Sequence, residues 1–382
     1  MKASESFSIE EELKKDFSYS KGKVLSSMNC EADPLAQDVF RNNLEKNLGD
    51  PALFPGTTNI EYHVIKILGG LFQQPPSGTG VILSGGSEAN VTALWAIRNN
   101  KDLNLETPEI IVPESVHISF DKAADLLKLK LIKVPTTPQY QVNLDAVIEA
   151  ITKRTIALVG VAGTTAFGTI DPLQELNEIC LNHQLDMHID AAFGGLVLPF
   201  LPQSRERFSI SFDLKSVVSI TVDIHKMGRV PIPGGSLLWK DNIYPQAIQF
   251  TLPYLAGNPK QITITGTRSG ASAIAFASLW NKIGFNGFQK IVLSCIKNTR
   301  FLAEELKKRG LSIPIEPLIN ILGVKIPSDY PLNVFELHRK LWEQGWTTTI
   351  VNGCLRFAIM PLTRKTQLKK LLLLIDHLIE IS

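Results

Sequence analysis

The stretch "SVVSITVDIHKMGRVPIPGGSLLW", Ser216 to Trp239, decides how the chain folds. Two short apolar runs, "SVVSITV" and "GSLLW", carry the β-branched residues and the length of buried strands. Between them lie Gly228, Pro231, Pro233 and Gly234, which leave no room for the helix that joins two parallel strands. The second run must therefore pair antiparallel in its sheet. At the turn sits Lys226, behind His225, although lysine ordinarily belongs on a wet face. Taken alone, Lys226 reads as the solvated end of a strand.

Working outward, similar runs recur: "VILS" from Val81, "EIIVP" from Glu109, "LKLIKV" from Leu129, "IALVGVAG" from Ile156 and "DMHID" from Asp186. Segments of helical period separate most of them, including "SEANVTALWAIRNN" and "SFDKAADLLKL", and Asn143 and Asp171 stand as N-caps before two others. Strand and helix in alternation predict an α/β fold with a seven-stranded, mostly parallel sheet covered on both faces and one antiparallel strand. From about Ser269 the texture changes to two long helical stretches, a strand at "LINILGVKI", a helix, a strand at "CLRFAIM" and a closing amphipathic helix. This pattern predicts an N-terminal arm over 1–55, a large domain over 56–268 and a smaller C-terminal α+β domain over 269–382.

Composition narrows the function. The 382 residues carry 39 Lys and Arg against 37 Asp and Glu, so there is no basic surplus for nucleic acid or an anionic membrane. No run approaches a membrane span, and the charged N-terminus does not resemble a signal peptide. Cys30, Cys180, Cys295 and Cys354 are widely spaced, without metal-ligand spacing, which fits a reducing, cytoplasmic setting and no metal.

Ligands of open parallel sheets bind outside the carboxyl ends of the strands. At one such end, "LSGGSEAN" places Gly86 and Ser87 at a helix N-terminus, where free N–H groups suit a phosphate; a plain Gly-rich turn is the alternative. At another, Asp190 in "HIDAAFGG" precedes Ala191 and Ala192, whose small side chains let a flat ring approach. A buried carboxylate there needs a positive partner, unless Asp190 only caps the next turn. His117, just before a helix, could stack on such a ring or be satisfied within its loop, and Thr164 and Thr165 stand at a further strand end. A phosphate cradle, an acid, a ring-stacking histidine and a lysine together suit pyridoxal 5'-phosphate, which needs an amine for its aldehyde, an acid for its ring nitrogen and donors for its phosphate. Desolvation would ease the loss of a proton from Lys226.

In order, "NLGDPALFPGT", "SGGSEAN", "ESVHISF", "AGTTAFGTIDP", "HIDAAFGGLVLPF", "DIHKMG", "PIPGG" and "TITGTRSGA" resemble the archaeal L-tyrosine/L-aspartate decarboxylases, group II amino-acid decarboxylases of the fold type I pyridoxal-phosphate enzymes. The likeness runs from about Gly22 to the final helix. It implies that Lys226 is the Schiff-base lysine, His117 the ring-stacking residue and Asp190 the partner of the pyridine nitrogen. Gly86, Ser87 and His225 would hold the phosphate, with Thr164 and Ala192 beside the ring. The resemblance also implies a homodimer with sites at the interface, Thr267 reaching the neighbouring subunit's phosphate. Tyr254 is the candidate donor of the final proton, with Lys226 and His117 as rivals, and Arg356 the candidate for a substrate carboxylate, the alternative being a surface ion pair.

The implied reaction is α-decarboxylation of L-aspartate to β-alanine, a coenzyme A precursor. L-Tyrosine giving tyramine for methanofuran, or L-glutamate, are the alternatives; an aminotransferase or a carbon–carbon lyase is more distant. The chain departs from the family pattern at Ile224, where proline is usual, in a "GRVPIPGG" loop one residue short, and at Leu362, where many members carry histidine. The last two bear on substrate choice.

Overall fold

The computed structural model describes residues 7–101, 107–202, 208 and 210–381. A seven-stranded sheet forms from β1 (Thr79–Leu83), β2 (Glu109–Pro113), β3 (Lys130–Val134), β4 (Thr155–Val161), β5 (Asp186–Asp190), β6 (Val217–Val222) and β7 (Gly235–Trp239). Its order is β1-β7-β6-β5-β4-β2-β3. The strand β7 lies antiparallel to both neighbours, pairing Leu237 with Val81 and with Thr221. The other neighbouring pairs are parallel. Every residue of β2, β4, β5 and β6 is buried, which is why these strands read as continuous apolar runs rather than alternating ones.

Helices cover both faces of the sheet. One apolar cluster joins Ile82, Leu158, Met187 and Ile220 to the helices Pro55–Leu71 and Leu173–His183; the other joins Val81, Ile110, Val159 and Trp239 to the helices Gly86–Asn100 and Ser119–Leu127. Asn143 caps its helix as expected, accepting from Ala146 N–H at 3.1 Å. Asp171 does not cap: Pro172 takes the N-cap position, and the Asp171 carboxylate instead accepts from Val142 N–H and Val161 N–H at 2.7 and 2.8 Å. Two buried backbone donors outside the helix outcompete the helix terminus for that carboxylate.

The two long helical stretches form one 37-residue run, Ala271–Lys307, broken at Gly284, whose φ of 56° lies in the left-handed region that favours glycine. The part before the break packs under the sheet through Ala273 and Phe276, and Phe288 just after it joins the same cluster. Its last part, Leu302 to Leu306, joins a separate cluster with Leu341, Trp346, Phe357 and Leu371. That cluster holds a three-stranded antiparallel sheet of Ile321–Val324, Cys354–Ala358 and Thr349–Val351, in that spatial order. Thr349–Val351 is a strand that the sequence pattern did not single out, being only three residues long. The closing helix, Lys365–Glu380, buries Leu368, Leu371, Leu372, Ile375 and Leu378. Leu25 belongs to the same cluster and Val24 bridges to Thr347, so the chain's start is tied to its end. Among the described residues no helix is long and apolar enough to cross a membrane.

Candidate active site

Five strand ends meet at one cavity of about 360 Å³. The segment after β1 contributes Ser84 to Glu88, the loop after β2 Ser115 and His117, and the loop after β4 Gly163 and Thr165. Asp190 and Ala192 come from the end of β5, and Asp223, His225 and Lys226 from the end of β6. Met28 and Asn29 close one wall.

At the anionic end the helix Gly86–Asn100 points its N-terminus inward. Its N-cap, Gly85, has no side-chain cap hydrogen bond, and the first amides of a helix lack intrahelical partners. Ser87 is exposed and does not cap the helix; its hydroxyl is free to face an anion. Gly86 is required by space: a Cβ there would lie 3.0 Å from both Ala192 Cβ and Asp223 Oδ2. His225 Nδ1 accepts from Gly234 N–H at 3.1 Å, so its ring proton sits on Nε2.

At the opposite side Asp190 is buried. Its Oδ1 accepts from Ala192 N–H and its Oδ2 from Asn90 Nδ2, both at 3.0 Å. The carboxylate thus caps the next turn and also faces the cavity; the two readings of this residue are compatible. Asn90 lies behind it against His188, which is fully buried. Burial pushes the His188 imidazole down to about 4, against the opposing pull of Asp190. Histidine in the unfolded chain takes up a proton near 6.5, so this group contributes stability above that pH that is lost as pH falls through about 4. Comparison of wild type with His188→Gln by chemical denaturation should show the difference between them change by roughly 3 kcal/mol from pH 7 to pH 4; parallel curves would refute it.

Lys226 Nζ lies 2.9 Å from Asp223 Oδ2, and its side chain is one-fifth exposed. The lysine thus faces a buried carboxylate rather than a wholly apolar pocket. Asp223 is itself buried, with Oδ1 lacking any hydrogen-bond partner and His225 Nε2 3.7 Å from Oδ2. Sequence reasoning missed Asp223, though an acid three residues before a lysine in a tight turn was a usable signal. It also missed Asn90, whose position one turn into a helix gives no such sign.

The structure therefore brings together Gly86, Ser87, His117, Asp190, Ala192, His225 and Lys226. Four other candidates lie outside this cavity. Thr164 is buried and exchanges a 2.7 Å hydrogen bond with Thr169, facing an adjoining chamber of about 630 Å³ that shares Ser115, His117 and Thr165 with the site. Tyr254 is 78% exposed on a surface loop and does not reach the cavity of its own chain. Thr267 is also exposed, although Thr265 in the same segment donates to Glu88 Oε1 at 3.0 Å. Arg356, on the strand Cys354–Ala358, is 4% exposed and not in a surface ion pair. Its guanidinium donates to Thr165 O at 3.3 Å, to Thr349 Oγ1 at 3.2 Å and to Ser26 O, all neutral, and its Nε has no partner. Desolvation pulls Arg356 down to about 10.

An amine, a buried carboxylate with a lone pair to spare, an imidazole and an open helix N-terminus around one cavity fit pyridoxal 5'-phosphate, and Asp223 Oδ1 and the uncapped helix are groups in want of a partner. The fold and site are those of the pyridoxal-phosphate enzymes built on a mostly parallel sheet. Comparison with known proteins carries this further. Residues 23–318 match the family model described as the pyridoxal-dependent decarboxylase conserved domain, and the chain belongs to that family. It is 43% identical over 347 residues to a probable L-tyrosine/L-aspartate decarboxylase of Methanothermobacter thermautotrophicus, covering 90% of this chain and 93% of that one. To the L-aspartate decarboxylase of Thermococcus kodakarensis it is 39% identical over 367 residues, covering 95% and 94%. In fold it is similar to glutamate decarboxylase of Lactobacillus brevis, a fold type I enzyme, with a TM-score of 0.88 at 24% identity over 97% of this chain and 90% of that one. A sphingosine-1-phosphate lyase of Burkholderia pseudomallei gives 0.86 at 22% identity, covering 94% and 86%. The chain is a pyridoxal-phosphate-dependent carboxy-lyase.

Proposed function

We propose that the chain removes the α-carboxylate of L-aspartate, giving β-alanine and CO2, with β-alanine destined for coenzyme A. The observation that carries the site assignment is that Lys226 and Asp190 face one cavity at the ends of adjacent strands. The substrate is supported by relatives near 40% identity whose names include L-aspartate. When bound, the cofactor supplies an aldehyde for amines and a π-system that takes up the electrons left by departing CO2.

The chain's own residues supply the rest. Lys226 provides the amine that holds the aldehyde, released from Asp223 as it does so. Asp190 holds a proton at the ring nitrogen, and His117 covers one ring face. The amides of Gly86 and Ser87, the Ser87 hydroxyl and His225 Nε2–H bind the phosphate. Thr164, next to the cavity-lining Thr165 and hydrogen-bonded to Thr169, is assigned a place beside the ring. Arg356, buried among neutral oxygens, is assigned the substrate carboxylate, since a planar fork suits that group. We assign Tyr254 the proton that reaches the α-carbon, and Thr267 a phosphate contact, both across the interface of a homodimer. Exposed Leu53, Tyr62, Ile232, Phe250, Tyr254 and Ile264 support such an interface. A cytoplasmic setting is consistent with the four free thiols. We further divide the chain at 55 and 268 into arm, cofactor-binding domain and smaller C-terminal domain, supported by the separate apolar cluster around Trp346 and Phe357; residues 1–6 and 382 lie outside the described residues.

The test is incubation of the cofactor-loaded protein with aspartate, glutamate or tyrosine, measuring CO2 and amine against keto acid. β-Alanine should be the main product; tyramine or γ-aminobutyrate in its place would overturn the substrate, and keto acid at comparable yield the reaction. Arg356→Gln should raise KM for aspartate more than it lowers kcat, with kcat/KM down by roughly thirtyfold or more. An unchanged KM would remove Arg356 from the substrate site.

A further inference from the structure

We propose that Asn90 is a positioning residue that ties the two groups flanking the cofactor ring, Asp190 and His117, into one hydrogen-bonded unit, orienting the Asp190 carboxylate and fixing the tautomer of the His188 behind it. The inference rests on the reading of Asp190 and His117 given above. Asn90 is 1% exposed and every hydrogen-bonding atom of its side chain is engaged. Its Nδ2 donates to Asp190 Oδ2 and to Ser119 Oγ, each at 3.0 Å. Its Oδ1 meets His188 Nε2 at 3.2 Å, and His188 Nδ1 lies 2.8 Å from Ser219 Oγ. Ser119 Oγ lies 3.0 Å from His117 Nδ1, which also accepts from Ser119 N–H at 3.2 Å.

The proton positions follow from counting donors. An ionised carboxylate only accepts, so Asp190 requires the NH2 end of Asn90, and Oδ1 must then face His188. That oxygen only accepts, so His188 carries its proton on Nε2 and leaves Nδ1 to the Ser219 hydroxyl. On the other branch, Ser119 Oγ accepts from Asn90 and spends its single proton on His117 Nδ1. His117 therefore bears its own proton on Nε2. Turning the amide over would set Oδ1 against the Asp190 carboxylate, two acceptors face to face. One buried amide thus orients Asp190 and fixes a single tautomer of His188, and through Ser119 it joins them to His117, whose Nδ1 the Ser119 N–H also holds as an acceptor. The helix Gly86–Asn100 that presents amides to the phosphate at its first turn also carries this residue one turn later, so a single rigid element registers both ends of the cofactor.

The test begins without cofactor. Histidine 15N spectra of the wild-type protein, assigned with His117→Gln and His188→Gln, should show both rings as neutral Nε2–H tautomers at pH 7.5. Either ring protonated on Nδ1 would overturn the scheme, whatever the activity of the protein. Asn90→Ala and Ser119→Ala are then loaded with pyridoxal phosphate, their fold checked by circular dichroism. Asn90→Ala should lower kcat roughly tenfold or more, the worth of one hydrogen bond to a charged group, while KM and cofactor retention change by less than about threefold. In its cofactor-free form His188, which has lost the Asn90 acceptor, should populate both tautomers, while His117 keeps the Nε2–H form through the Ser119 N–H. Ser119→Ala, which retains that N–H, should leave both tautomers fixed and kcat closer to wild type, because the Asp190 branch survives. A folded Asn90→Ala protein with wild-type kcat and a fixed His188 tautomer refutes the proposal, and so does an equal loss in kcat and cofactor retention, which a merely structural role would give. Should Asn90→Ala not fold, the wild-type and Ser119→Ala tautomers still decide. Failure to decarboxylate any amino acid would strike the proposed function and leave the tautomer result standing.

Discussion

Replacing Lys226 by alanine is expected to abolish the visible absorbance of the lysine-bound cofactor and to cut decarboxylation by at least about a thousandfold, since no neighbouring group can take over a covalent role. Among the described residues lining the cavity, Lys226 is the one amine. The structure adds a second consequence. Lys226 Nζ is the 2.9 Å partner of the buried Asp223 carboxylate, whose next basic neighbour is the His225 imidazole at 3.7 Å. Removing one member of a buried pair leaves an uncompensated charge and costs about 3 kcal/mol or more. The alanine variant should therefore be less stable as well as inactive, and Lys226→Arg, which keeps a cation near Asp223 but offers no amine to an aldehyde, should recover part of the stability and none of the turnover. Denaturant midpoints, absorbance spectra and rates of the three proteins check this. A visible band that survives in Lys226→Ala moves the covalent site elsewhere.

Asp190→Asn is the second large effect. The substitution preserves shape but presents an NH2 group to one of its neighbours, where the carboxylate accepted from both Ala192 N–H and Asn90 Nδ2. It also removes the charge that holds a proton at the ring nitrogen, and a neutral ring is the poorer electron sink. Loss of one such preorganised electrostatic partner costs roughly a hundred- to a thousandfold in kcat. Cofactor binding should suffer far less, because the phosphate cradle at Gly86, Ser87 and His225 and the amine of Lys226 are untouched. Equilibrium cofactor affinity measured beside kcat separates the two. A variant that loses both in proportion would make Asp190 a structural acid.

The space around Gly86 makes a smaller prediction of the same kind: Gly86→Val should weaken cofactor binding by at least about tenfold, because a Cβ already meets Ala192 and Asp223 at 3.0 Å. Retention of wild-type affinity on dilution would show that the cradle lies elsewhere.

Much of this architecture could be read from the chain alone. The linker from Gly228 to Gly234 cannot hold a helix, and that local fact sets β7 antiparallel between β6 and β1. The runs of Val and Ile bounded by Gly, Pro or charge are long enough for strands and too short for helices, so all seven strands of the main sheet were visible. Gly86, Ser87, His117, Asp190 and Lys226 could be singled out because strand ends of a parallel sheet converge, and that rule needs no coordinates; His225 entered by likeness to the family. Asp223 was not singled out although its spacing to Lys226 could have marked it, and Asn90 was not because it is recognisable only by what it touches. Thr267 was chosen by likeness, Tyr254 by its place shortly after the lysine segment and Arg356 by the fit of a planar fork to a carboxylate, and the structure places none of them on the wall of this chain's cavity.

What the sequence by itself determined is the class of the sheet, the direction of its odd strand and the residue types gathered at one edge, because steric limits and apolar periodicity act over a few residues at a time. Tertiary structure alone decided which carboxylate partners Lys226, that Arg356 is buried among neutral oxygens, and how Asn90 links Asp190 to His117. Those are contacts between residues up to 330 positions apart, and their hydrogen-bond geometry exists only once the helices have packed on the sheet and shut water out.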